Sequence, residues 1–272
     1  LRVIVSAPEC GTVHPPVQRL RGPLPMSTAS SAAAQMTEQA RTLLQQAAAP
    51  ANVAKMQAYL KTDQPFYGVK KPALATIAKQ LYRIPVPDTA TYRAVIEALW
   101  SGPHREEQYL AIDVARRHKR FVLPAQLDLY ARMVQSGAWW DLVDPIAAHL
   151  VGRVWQQHRA ATEPVVDRWI DSEDMWLRRT AIIGQLRHKS ELDQARLFRF
   201  CLARAHESEF FIRKAIGWAL RDHARVAPES VQAFLNAHWQ VLSGLSRREA
   251  ARNMVKAGWT PPWSTSSAGQ AG

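Results

Sequence analysis

An internal repeat of about 35 residues limits the folds open to this chain more than any other feature. Leu110-Ala111-Ile112-Asp113-Val114-Ala115-Arg116-Arg117-His118-Lys119 lies over Thr180-Ala181-Ile182-Ile183-Gly184-Gln185-Leu186-Arg187-His188-Lys189 at an offset of 70, two steps of 35, with Ile146-Ala147-Ala148 at the step between. Arg213-Lys214-Ala215-Ile216-Gly217 continues the register over Arg178-Arg179-Thr180-Ala181-Ile182. Any one step is within reach of chance between Ala- and Arg-rich helices, but the steps fall in register. A unit of this length with helical spacing and no β-rich run is a helix pair. One pair cannot cover its own apolar faces, so neighbours must stack. The expected fold is all-α, an α-solenoid of helical repeats.

The 272 residues, 47% of them hydrophobic, suffice for one sizeable core and at most two domains. Charged residues interrupt every apolar stretch well before the roughly 18 residues a membrane span needs. The formal charge of +12 is spread along the chain rather than gathered in a tail, so the folded body should be basic and favour polyanions. Cys10 and Cys201 are too far apart and too unlike in context to form a disulfide framework or a four-cysteine metal site. No His-Glu-x-x-His or Cys-x-x-Cys spacing occurs, and a reducing cytoplasm with no metal or cofactor is expected.

Residues 1–36 carry Pro8, Pro15, Pro16, Pro23 and Pro25 and then a Ser/Ala run, which predicts a poorly ordered extension. Met26-Ser27-Thr28 reads as a start, and Leu1-Arg2-Val3-Ile4-Val5 is too short for a signal-peptide core. Residues 37–258 form the expected folded domain, and 259–272 a flexible tail. Helices are predicted over 37–48, 52–61, 72–82, 89–100, 104–117, 124–135, 139–158, 164–170, 173–188, 192–205, 210–224, 229–242 and 247–256, several opening at proline. Ser246-Arg247-Arg248-Glu249 reads as a capping box, which would set a helix N-terminus beside two arginines, as either a phosphate site or a solvated basic turn.

Trp139 and Trp140 are adjacent, so on a helix they project about 100° apart and one should be exposed. Asp144 follows Trp140 by one turn, and its repeat position returns as Arg179 and Lys214, with Trp218 a turn beyond. An acid, two cations and two indoles on one line suit a flat cationic ligand beside a phosphate. The same spacing also permits a purely structural Asp144–Arg179 salt bridge between repeats, with the tryptophans as filler. Pro145 admits a break, with Asp144 as a helix N-cap and Pro145 the first helical residue.

Trp-Trp-Asp-Leu-Val-Asp at 139–144, Met-Trp-Leu-Arg-Arg-Thr-Ala at 175–181 and Phe-Phe-Ile-Arg-Lys-Ala-Ile-Gly-Trp-Ala-Leu-Arg at 210–221 resemble the signature segments of the AlkD family, the HEAT-like-repeat DNA alkylation repair glycosylases. Pro-Phe-Tyr-Gly-Val at 65–69 is similar to that family's amino-terminal loop. The resemblance covers roughly residues 37–257. It implies a solenoid of HEAT-like repeats whose concave basic surface holds duplex DNA and removes cationic N3- or N7-alkylated purines, leaving an abasic site. By the same resemblance Asp144 is the catalytic carboxylate, Trp140 and Trp218 are paired aromatics and Arg179 is the active-site arginine. Some members of the family have lost such residues and bind DNA without excision, so their retention here argues for an enzyme.

Lys214, Arg213, Arg247 and Arg248 are candidates for phosphate contact, and Tyr67 and Lys70 for contact with the opposite strand. The dense run Arg116, Arg117, Lys119 and Arg120 reads as a solvated helix end. The expected partner is duplex DNA containing alkylated purines, bound by a monomer in the cytoplasm or nucleoid, with no membrane. Two rivals share the repeats: a non-catalytic DNA-binding solenoid for unusual or branched DNA, and a HEAT-type protein scaffold.

Overall fold

The computed structural model describes residues 28–264, and among these the regular structure is entirely helical. Helices α1 (Thr28–Gln46), α2 (Val53–Leu60) and α3 (Lys71–Leu81) come first. Pairs follow: α4 (Thr89–Trp100) with α5 (Arg105–Arg117), then α6 (Leu127–Gly137) with α7 (Trp140–Ile146) and its continuation α8 (Gly152–Gln157). Next are α9 (Arg159–Trp169) with α10 (Met175–Ile183), α11 (Gln194–Ala203) with α12 (Phe210–His223), and α13 (Pro228–His238) with α14 (Gly244–Lys256). The second helices of the pairs open at Arg105, Trp140, Met175, Phe210 and Gly244, at the period read from the sequence. The result is an α-solenoid of stacked helix pairs.

Equivalent positions of neighbouring repeats meet in space, which is why the repeat also shows in the pairing of side chains. Ala111, Ile146, Ala181 and Ile216 stand 35 apart and are all buried, forming one apolar line through the stack. Arg93 pairs with Asp128, Asp144 with Arg179 and Lys214 with Glu249, each again across 35 residues. Local chemistry starts several helices. Asp88 accepts the backbone N–H of Thr91 at 2.7 Å to cap α4, and Asp174 accepts from Trp176 and Leu177 at 2.8 and 3.0 Å to cap α10.

The structure moves several expected boundaries. Helix α1 begins at Thr28, inside the segment expected to lack order, and Ala33, Met36, Ala40 and Leu44 are buried along it where it packs on α3, α4 and α5. Its apolar period is carried mostly by Ala and Met among Ser, Gln and Thr, and that composition reads as low complexity. At the other end, Trp259 and Trp263 pack on the core with their rings edge to face at 5.8 Å, so the tail is ordered through Ser264. The expected start at Met26 and the residues after 264 lie outside the described residues.

Pro164 falls inside α9 rather than at its opening. The capping box does not form, since Ser243 caps α14 by accepting from the Ser246 N–H at 3.0 Å, and Ser246 Oγ donates to the Arg213 carbonyl at 2.9 Å. Among the described residues no helix is long and apolar enough to cross a membrane.

Candidate active site at the openings of the second helices

Trp140, Asp144, Arg179, Lys214 and Trp218 come together around one cavity of about 380 Å³. Helix α7 runs unbroken from Trp140 through Pro145, which leaves Trp140 and Asp144 on one stripe and removes the N-cap alternative for Asp144. Pro145 has no N–H for the Asp141 carbonyl one turn back, and the chain widens into a π-helical turn over Ala147–Val151 before α8. Trp139 is the N-cap, in extended conformation, and so lies off the helical path. Its ring packs on Trp176 and Phe211 at centroid distances of 6.1 and 5.2 Å. Both adjacent tryptophans are therefore half-buried, against the expectation that one is exposed. Trp140 meets the edge of Tyr59 at 6.0 Å, a side chain from α2 that is 71% exposed.

Arg179 grips Asp144 with two parallel bonds, Nε to Oδ1 at 2.8 Å and Nη2 to Oδ2 at 2.9 Å, and donates through Nη1 to the Phe211 carbonyl at 2.6 Å. The ion pair considered as a structural alternative thus exists, and it lines the cavity. The Arg179 side chain is 4% exposed and that of Asp144 14% exposed, which leaves the carboxylate and not the guanidinium as the accessible partner. Burial pushes the Asp144 carboxyl above the usual carboxylate range, against the opposing pull of Arg179, and neighbouring Asp141 pushes the same way as burial.

Asp141 is itself held by Arg105 Nε at 3.1 Å, with Arg105 Nη2 and the Tyr109 hydroxyl also donating to its oxygens. This network ties α7 to α5 within a turn of Asp144.

The remaining expected residues divide. Lys214 lines the cavity, with its ammonium 2.6 Å from Glu249, which also accepts from Arg221 at 2.5 Å. Arg213 is half-buried with its Nε unpartnered. Arg247 lies over the rings of Trp239 and Trp263 at 5.4 and 5.6 Å, and Arg248 is exposed. Neither of the last two lines the cavity. Tyr67 stacks on His104 at 3.9 Å, and the 65–69 loop is pinned by the Glu106 carboxylate, which accepts the N–H groups of Tyr67, Gly68 and Val69 at 3.1, 2.9 and 3.0 Å. Lys70 stands exposed at the N-cap of α3.

Sequence reasoning about the site missed Phe210, Phe211, Arg221, Glu249 and Arg252, all of which line the cavity, and Tyr59 beside Trp140. The repeat could have supplied Glu249, which stands 35 residues after Lys214. No period points to Tyr59, because α2 lies outside the regular pairs. Among the described residues no group of three His, Cys, Asp or Glu side chains converges as a metal site.

The cavity gathers a fixed carboxylate, two indoles and the cations Lys214, Arg221 and Arg252. Such an arrangement can stabilise positive charge developing on a ligand and can bind the anionic groups attached to it.

The sequence profile of the family described as DNA alkylation repair enzyme matches residues 40–254. A solved structure of a predicted DNA alkylation repair enzyme from Enterococcus faecalis is 32% identical, with a TM-score of 0.68 over 77% of this chain and 97% of that one. AlkD2 from Streptococcus mutans, at 17% identity, shares the fold with a TM-score of 0.52 over 73% of this chain and 97% of its own. No curated protein matches the chain significantly. With the family profile covering most of the chain and a solved relative agreeing over nearly all of its own length, the protein belongs to the DNA alkylation repair enzyme family.

Proposed function

We propose that the protein is a DNA glycosylase that hydrolyses the N-glycosidic bond of cationic N3- or N7-alkylated purines in duplex DNA and leaves an abasic site. One observation carries this reading: Asp144 presents a carboxylate to an aromatic cavity while Arg179 fixes both of its oxygens from behind. An alkylated purine already bears positive charge and leaves readily, so the reaction needs little acid assistance. It needs stabilisation of the oxocarbenium-like deoxyribose as the bond lengthens, and an ionised carboxylate supplies that and can orient the attacking water. The faces of Trp140 and Trp218 favour a cation by up to about 2 kcal/mol when water is excluded. That preference selects charged lesions over ordinary bases.

Arg179 acts through Asp144 in this reading. Its three committed donors hold the carboxylate in place, and phosphate binding passes to the rim cations such as Arg252. The expected partner remains duplex DNA, bound by a monomer. The test is single-turnover incubation with duplex containing 7-methylguanine. Release of the free base with an abasic site left behind supports the reading, while tight binding with no base released favours a non-catalytic DNA-binding solenoid.

A further inference from the structure

A second set of residues stands eight positions after the first, toward or just past the ends of the second helices. Where the site register reads Tyr109, Asp144, Arg179 and Lys214, the positions eight further on are Arg117, Gly152, Arg187 and Asp222. Trp140 and Asp144 line the first cavity and Ala148, Gly152 and Gln156 line a second, so the second set follows the first along α7 and α8. At 1.5 Å of rise per residue it lies roughly 12 Å further along them. A Cβ at Gly152 would stand 2.2 Å from the Gly184 carbonyl oxygen, so the backbones of α8 and the end of α10 nearly touch there.

Beside that contact is a cavity of about 770 Å³ whose walls include Arg116, Arg117, Lys119, Arg153, Arg187 and Lys189. Asp113 and Glu191 are the carboxylates of the same walls. Among the described residues only Arg116 of these six cations has an acid within ion-pair distance, Asp113 at 3.6 Å, while Arg187 acts on Asp222 from further away. Elsewhere arginines are matched closely, as Arg93, Arg132, Arg178 and Arg196 are by acids at 2.6 to 3.0 Å. Arg153 Nε is buried with no partner. His149, between these groups, has its imidazole pushed down to about 4 by burial and by Arg116 and Arg187, so the charge of the cavity comes from arginine and lysine. Six cations around two carboxylates leave an excess of positive charge that costs free energy in the folded chain, and a bound polyanion would remove that cost.

We propose that this cavity holds backbone phosphates of DNA, on the strand across a groove from the one presented to Asp144. Its roughly 12 Å offset is on the scale of B-DNA grooves, about 6 Å wide for the minor and about 12 Å for the major groove. The proposal rests on the reading that duplex DNA lies along the Asp144 site. It gives the run at 116–119, read from sequence as a solvated helix end, a share in binding.

The experiment compares the full chain with an Arg117→Ala/Arg187→Ala variant, both positions being exposed, by salt titration of binding to undamaged duplex. The variant is expected to melt like the parent, to lose roughly tenfold or more in duplex affinity, and to flatten the log-affinity against log-salt slope by about one to two. Arg187→Lys, which retains the charge, should retain most of the slope. On either single strand alone the double variant should bind nearly as well as the parent. An equal loss on single strands would overturn the assignment to a second strand, and an unchanged duplex slope would overturn the site itself. Tight binding of inorganic phosphate that the double variant loses, with duplex affinity unchanged, would mark a small-anion site and overturn the proposal. Because excision is not measured, a protein that binds as described yet releases no base would remove the glycosylase reading and leave this one standing.

Discussion

Asp144 has both oxygens on one guanidinium, and this decides what its replacement will do. Asp144→Asn removes the charge but keeps one acceptor for Arg179, whose side chain is nearly inaccessible to water. The expected cost in stability is about 1–3 kcal/mol, because the carboxamide accepts only one of the two hydrogen bonds and leaves a buried Arg179 N–H unpaired. The fully folded fraction should still bind duplex DNA, yet single-turnover base release should fall by roughly 100-fold or more. Parent-like release by folded Asp144→Asn protein would remove the carboxylate from the mechanism.

The pH dependence has a definite sign. In the proposed reaction excision needs the ionised form, so its rate should fall with decreasing pH through a midpoint above the ordinary aspartate value of 3.8. Stability moves the other way for this group. A folded-state pKa raised by burial contributes stability below the unfolded value and loses it as pH rises through the folded one. A rate profile whose acid limb lies at or below 3.8 would show that Arg179 outweighs burial.

At the scale of elements, the site depends on how closely the second helices approach one another. Gly217 on α12 faces α14, and a Cβ added there would lie 2.5 Å from Glu249 Cβ and 2.8 Å from the Ser246 carbonyl oxygen. Alanine is the better helix former by about 1 kcal/mol, so helix propensity alone favours Gly217→Ala. The overpacking opposes that gain and costs about 1–3 kcal/mol, since backbone and Cβ atoms cannot step aside as a side-chain tip can. Thermal melting should therefore show net destabilisation, together with weaker DNA binding as Glu249 is displaced from Lys214 and Arg221. A melting temperature at or above the parent's would mean that α12 and α14 are not held at this separation.

Over the whole molecule, the first helix closes the open end of the stack. A chain beginning at residue 37 would lose the first half of α1 and with it the buried Ala33 and Met36. Burying a methionine contributes about 1.5–3 kcal/mol, and the truncated α1 would also hold less firmly on α4. Melting should fall by several degrees relative to the full chain. Equal melting temperatures would show that α1 is dispensable before Thr37, which is what the composition alone suggested.

Period and residue type determined much of this protein without any structure. The 35-residue recurrence specified stacked helix pairs, because hydrophobic spacing within a helix and the repeat between helices are both one-dimensional signals. It also put Asp144, Arg179 and Lys214 in one register, with Trp140 and Trp218 a turn to either side, since equivalent positions of stacked repeats become neighbours. What no one-dimensional pattern could decide was direction and competition. Whether Pro145 broke the helix depended on the packing of α7 between α5 and α10, and Trp139 left the helical path because Trp176 and Phe211 offered its ring a place. Ser243 took the cap from Ser246 once Ser246 found the Arg213 carbonyl. The burial of α1, of Trp259 and of Trp263 was likewise decided by surfaces far away in the chain, and burial is a property of those surfaces in contact rather than of the segment that covers them.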